Sequence, residues 1–248
     1  MNKRNLIRLS AVLLLIFVLN ISDLVELKKN TVDFEMSLEN DFNRIFSELL
    51  YGFHKADTEF KAIKISQLAF LAVPPIFFGQ NISADLSISG TYYFTRQDNR
   101  TIWYTKRVFL LLIYSFIIAV FTCLLNTLLT LYFDVACIQV MKIILVICSL
   151  SFCFFIIIML SNIIGVFCGS IIALTVSEIF AALNIFLIGT DIKRLSIVFN
   201  SAFLHGESYF DMAIKVGINV FISIVLFVIG LIVIKKKELG LVNAEHLL

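Results

Sequence analysis

Glu178 is the one acid set well inside a long apolar run, IIALTVSEIFAALNIFLIG. An ionised carboxylate at bilayer depth is costly, so this side chain must face protein or water, or be protonated. Two readings fit: a substrate- or proton-contacting group in a pathway, or a neutral acid hydrogen-bonded to a neighbouring helix through Asn126 or Asn184. The other residues able to do chemistry point away from catalysis. The three histidines (His54, His205 and His246) lie in polar segments or the tail, which argues against a zinc or proton-relay site at membrane depth. The five cysteines (Cys123, Cys137, Cys148, Cys153 and Cys168) are scattered in or beside apolar segments with no CxxC pair. They read as small packing residues rather than disulfides or metal ligands. There is no GxxxxGK[ST], no HExxH and no GxSxG, so nothing marks a P-loop, a metalloprotease or a serine nucleophile. The expectation is a non-catalytic chain with no metal and no cofactor of its own.

The elements that must hold these residues are apolar. Of 248 residues, 60% are hydrophobic and only 15% charged, against about a quarter charged in an ordinary soluble domain. With a mean hydropathy of +0.96, the chain carries more apolar surface than one soluble core can absorb. It reads as an integral membrane protein and not as a soluble enzyme. The formal net charge of +2 leaves no polybasic footprint for nucleic acid.

A span needs about 20 apolar residues, and the runs divide the chain into a single all-α transmembrane domain, 1–248, with six expected spans: 5–24, 65–79, 108–133, 143–162, 168–189 and 216–234. The first is read as a retained span, since no cleavage pattern follows it. The second is short and carries Pro74-Pro75, which should kink or interrupt it. Residues 143 to 189 hold a single charge over twice the length a bilayer needs, so they should fold back as a hairpin between Ser161-Asn162 and Gly169-Ser170. Gly165 and Gly169 form a GxxxG pattern, which either lets helices approach closely or marks that turn; the turn is favoured. In the acidic segment 28–61, Phe34, Leu38, Phe42, Ile45, Leu49 and Phe53 recur at helical steps. They define an amphipathic helix expected on the outer side, either as a lid or flat on the lipid.

With both termini inside, Lys and Arg divide ten to ten between the two sides. The tie is broken by the first span, where Lys3, Arg4 and Arg8 favour termini inside. On that side lies 81–107, NISADLSISGTYYFTRQDNRTIWYTKR. By itself it is a positive-inside loop with Trp103 at the interface, or a docking element for a soluble partner.

Asp85, then Gly90, then Arg96, Arg100, Trp103 and Lys106, running straight into a long span, resembles the connection between the second and third spans of bacterial ABC-2-type transporter permeases. It is most similar to the small permeases of peptide-export and bacteriocin-immunity systems. The resemblance implies a cytoplasmic coupling element, with Ser83, Asp85, Leu86, Ser89 and Gly90 at the contact with a separate ABC ATPase present in two copies. Arg96, Arg100, Trp103 and Lys106 would lie at the cytoplasmic membrane surface. It further implies a cell-membrane location, ATP and Mg on the partner, a second permease copy or a different permease beside this one, and a peptide cargo. Residues 191–215, with Ile192, Leu195, Val198 and Phe199 on one side, would be short helices capping an outer vestibule as in that family, or a plain amphipathic loop. The competing function is a stand-alone immunity or receptor protein that binds a membrane-active peptide without transport.

Overall fold

A computed structural model describes residues 3–30, 65–86, 100–131, 140–187, 193–201 and 208–236, and among these every regular element is helical. The chain order is α1 (Lys3–Asn30), α2 (Ile65–Phe78), a short helix at 81–86, α3 (Arg100–Leu131), α4 (Val140–Cys168), α5 (Ser170–Leu187), a 3-10 turn (Lys193–Leu195), α6 (Ile197–Ser201) and α7 (Tyr209–Lys236). Five of these helices, α1, α3, α4, α5 and α7, are long and apolar enough to cross a bilayer. The chain is therefore a membrane-embedded helical protein. The segment 31–61 and the stretch 87–99, which hold most of the expected amphipathic helix and the centre of the expected docking loop, lie outside the described residues.

Sequence alone places the element boundaries imperfectly, and the differences have physical causes. The helix that carries the expected third span, 108–133, begins at Arg100, because the amphipathic turn around Trp103 and Lys106 continues the helix of the apolar run that follows. The hairpin turn is a single residue. Helix α4 continues to Cys168, six residues beyond Asn162, and only Gly169, at φ +82°, separates it from α5. A left-handed φ is what glycine adopts without steric cost, so one residue suffices to reverse the chain. Helix α2 runs through both prolines instead of stopping at them and ends at Phe78. At 14 residues it is about 21 Å long, short of a bilayer core of about 30 Å, so it is not among the five. At the start of α7, Ser208 caps the helix. Its hydroxyl accepts from the Asp211 amide at 3.2 Å and donates to the Asp211 carboxylate at 2.6 Å, satisfying an otherwise orphaned first-turn donor.

Helix α4 is the axis of the bundle. Residues 153 to 159, seven in succession, are all buried, as expected of a helix apolar all round. Helices α2, α3, α5, α6 and α7 all pack against it. The peripheral helices instead turn apolar side chains outward, such as Leu14 and Phe17 of α1, Ile171 and Ile179 of α5, and Phe221 and Ile224 of α7. Such an apolar exterior suits contact with lipid.

Lipid tails are as apolar as leucine, so burial does little to drive these helices together. Close packing and internal hydrogen bonds must do it. Phe70 packs edge-on against Phe154, at 5.3 Å between centroids, and Phe78 stacks on Tyr114 at 4.8 Å. Some buried hydroxyls are satisfied within their own helices: Ser115 donates to the Leu111 carbonyl and Thr122 to that of Ile118, the back-bonding that makes such residues tolerable at depth. Contacts between Arg8 and Asn81, Asp85 and Arg107, Gly165 and Ser83, and Gly230 and Tyr104 fix the directions. The start of α1, the end of α2, the start of α3, the α4–α5 turn and the end of α7 share one end of the bundle, termed proximal; α6 lies toward the distal end.

Candidate functional site

The proximal end gathers the residues the sequence singled out in 81–107. After α2, Gly79 and Gln80 form a turn, and the short helix 81–86 follows. A side chain at Gly79 would strike the Pro75 carbonyl and the Ser161 side chain of α4, so only glycine lets the turn lie on that helix.

Asn162 of α4 then bridges the break. Its amide nitrogen donates to the Phe78 carbonyl at 2.9 Å, and its oxygen accepts from the Ile82 amide at 2.8 Å. One carboxamide thus satisfies the last carbonyl of α2 and an early amide of 81–86, groups that the break would otherwise orphan at a fully buried site. Further along, Asn81 accepts from Arg8 of α1 at 2.5 Å, and Asp85 pairs with Arg107 of α3 at 3.0 Å. Arg107 also lies 5.9 Å over the Trp103 ring, within cation–π range. The short helix is tied to α1, α3 and α4 at once.

Of the coupling residues expected from sequence, Ser83, Asp85 and Leu86 sit on this helix, half-buried, and Ser83 donates to the Gln80 carbonyl at 3.1 Å. Ser89, Gly90 and Arg96 lie outside the described residues. Arg100, Trp103 and Lys106 occupy the first two turns of α3; Lys106 is exposed, while Trp103 packs partly against the core. Arg8, Asn81, Arg107 and Asn162 complete the junction and were not singled out as site residues. The sequence held one signal for Asn162, an isolated carboxamide in an apolar run, but it reads equally well as a turn residue.

A second polar cluster lies toward the distal end. Within the segment from Lys193 to Ser201, Arg194 and Leu195 are exposed, while all five residues of α6 are buried against α4, α5 and α7. Of the expected stripe, Leu195 is exposed and Val198 and Phe199 are buried, while Ile192 lies outside the described residues. Backbone buried away from water is tolerated only when protein satisfies its polar groups, and here Asn and Ser side chains do so. Asn184 of α5 accepts from the Ile197 amide at 2.9 Å, and its own carbonyl accepts from Ser196 at 2.6 Å. Ser149 of α4 donates to the Asn200 carbonyl at 2.8 Å, and Asn219 of α7 donates to the Ile197 carbonyl at 3.2 Å. Lys215, itself buried, places its ammonium 4.2 Å from the Phe199 ring.

Replacing Asn184 with Leu should leave the Ile197 amide buried without an acceptor, at a cost of about 1–3 kcal/mol. Hydrogen exchange at 196–201 should accelerate about tenfold or more, and unchanged exchange would show that Asn184 does not hold the segment.

Glu178 lies on α5 two turns before Asn184. Its Oε1 is buried with no hydrogen-bond partner among the described residues, and both amide atoms of Asn126 are in the same condition. The expected partnership through Asn126 is therefore not formed. Asn184 spends its amide on the Phe180 carbonyl and the Ile197 amide. Among the described residues no three His, Cys, Asp or Glu side chains converge as a metal cage would need.

No protein-family model matches the chain, and no curated protein or solved structure does either. The functional reading therefore rests on these two polar clusters and on the sequence resemblance.

Proposed function

We propose that this chain is the membrane-spanning subunit of an ATP-driven exporter, a permease of the ABC-2 type that moves a hydrophobic or amphipathic peptide. The proximal end faces the cytoplasm, both termini lie there, and the protein sits in the cell membrane as a multi-pass chain. In this reading α2 is the sixth traverse, a short one, and the helix 81–86 lies at its cytoplasmic end. ATP is bound and hydrolysed, with Mg, by two copies of a separate ATPase, and the permease pairs with a second copy or with a different permease.

The observation that carries the reading is the attachment of 81–86. A soluble motor can drive membrane helices only by pushing on an element that cannot yield alone. This helix is tied by Arg8, Arg107 and Asn162 to three neighbouring helices. Closure of an ATPase pair beneath it would tilt α1, α3 and α4 together and alternate access to the interior. The polar distal cluster around α6 would then be the part of the wall that re-forms as the helices move.

The test is gentle purification from native membranes, with co-purifying chains identified by mass spectrometry and ATPase activity measured alongside. A stoichiometric ATP-binding subunit is expected, and deleting residues 83–89 should abolish its stimulation by the permease. Recovery of the chain without any ATPase would sink the proposal and leave the immunity-receptor reading in its place.

A further inference from the structure

The break between α2 and the helix 81–86 is built like a hinge. Two consecutive prolines, Pro74 and Pro75, remove backbone donors from the last turns of α2, and Gly79 and Gln80 form a turn after them in which the Gly79 amide donates to the Pro75 carbonyl at 2.7 Å. A push on 81–86 would be expected to dissipate there. Yet the far side of the break is fastened to α4 rather than to α2. Asn162 holds both Phe78 and Ile82, Gly79 lies directly against Ser161, and Gly165 brings the α4 backbone against Ser83. A Cβ built on Gly165 would lie 3.5 Å from the Ser83 Cβ and 3.5 Å from that of Ala173 on α5. The small face of α4, from Ser161 to Gly165, thus seats the short helix on one side and α5 on the other.

We infer that Asn162 is a positioning residue that locks the 81–86 helix to the α4–α5 hairpin, so that displacement of this helix moves the hairpin instead of bending α2. The inference rests on the proposed role of 81–86 as the driven element. Asn162 suits the task because its carboxamide is both donor and acceptor, and because it is wholly buried where water cannot compete for either bond. Alanine there leaves the Phe78 carbonyl and the Ile82 amide without that partner and reopens the break.

The test uses the full-length chain in native membranes with Cys168 replaced by Ser, since Cys168 is exposed beside the site. The pair Ser83→Cys and Gly165→Cys starts from a Cβ separation within the range a disulfide spans. Rapid oxidative cross-linking is expected, with the cross-linked peptide identified by mass spectrometry. Any effect of Ser83→Cys on docking is common to the reduced and oxidised forms of the same chain, so the effect of the bond on the ATPase rate of the co-purified complex is read only between those two. Bond formation should change the rate less than about twofold, because the joined parts already move as one. Adding Asn162→Ala should slow cross-linking about tenfold and lower the ATPase rate severalfold. Forming the disulfide in that variant should restore the rate, and reducing it should abolish the gain, a reversible response that mere loss of folding would not give. If Asn162→Ala does not accumulate, Asn162→Ser is read in the same way.

Cross-linking of the Asn162 variants at the parental rate would overturn the inference. So would a collapse of the parental ATPase rate on oxidation, which would mean that 81–86 must slide on α4. If no ATPase accompanies the chain, the proposed function falls, but the cross-linking rates still decide whether Asn162 makes the lock.

Discussion

Gly79→Val should be the most damaging single substitution in the membrane domain. Any Cβ at this position meets the Pro75 carbonyl, 2.5 Å separates it from the Ser161 hydroxyl oxygen, and 2.8 Å from the Ser161 Cβ. The first obstacle is backbone, which cannot rotate away, and the second belongs to the buried central helix. The smaller Gly79→Ala should already cost about 1–3 kcal/mol, the usual range for overpacking a close-fitted site; valine should exceed it and shift most of the chain into aggregated or degraded forms. Monodisperse yield in detergent and the midpoint of thermal aggregation measure this. Combining Gly79→Ala with Ser161→Gly should recover part of the loss, because it clears α4 but not the Pro75 carbonyl. No loss in the single variant, or no recovery on adding Ser161→Gly, would show that α2 does not lie on α4 at this point.

The second large effect is expected where α3 crosses α7. Tyr104 is almost wholly buried, stacks on Phe227 at 5.7 Å between centroids, and directs its hydroxyl over Gly230. A methyl group at 230 would occupy the place of that hydroxyl and come within 2.8 Å of the ring carbon bearing it. Gly230→Ala must therefore expel the ring, and losing a buried aromatic from its seat costs about 3–5 kcal/mol. Tyr104→Leu alone should also destabilise by leaving a cavity. The informative comparison is the pair: with the ring gone, the added methyl partly fills the vacated space, so the double variant should be clearly more stable than the sum of the two losses. A double-mutant cycle on thermal stability reads this coupling, and simple additivity would place Tyr104 elsewhere.

Neither glycine is legible as a contact from the sequence. In a membrane helix a lone glycine is ordinary, and nothing near Gly79 or Gly230 in the chain names Ser161 or Tyr104 as the group it must admit. The GxxxG pair at Gly165 and Gly169 shows the ambiguity directly. Read as a motif, it offered either close approach or a turn, and the fold uses one glycine for each: Gly169 reverses the chain at φ +82°, and Gly165 admits Ser83 and Ala173. Helix α6 is not legible either. The stripe of Leu195, Val198 and Phe199 suits an amphipathic segment, and Leu195 is indeed exposed. What holds the buried α6 is Asn184, Ser149 and Asn219, three residues on three other helices whose side chains satisfy its backbone.

Sequence by itself determined that this chain is helical and membrane-embedded, roughly where its long helices run, and that its interest concentrates in polar residues set into apolar surroundings. Those are local properties: a run of about 20 apolar residues is favoured by lipid residue by residue, whoever its neighbours are. Only the tertiary structure decided that α4 is the axis, that α2 is too short to stand among the five spanning helices, and that Arg8, Arg107 and Asn162 hold the helix 81–86 in place. In a bilayer the hydrophobic effect does not select which helices adjoin, so the choice falls to close packing and to hydrogen bonds between residues some 80 positions apart. Such pairwise terms leave no periodicity in the chain that carries them.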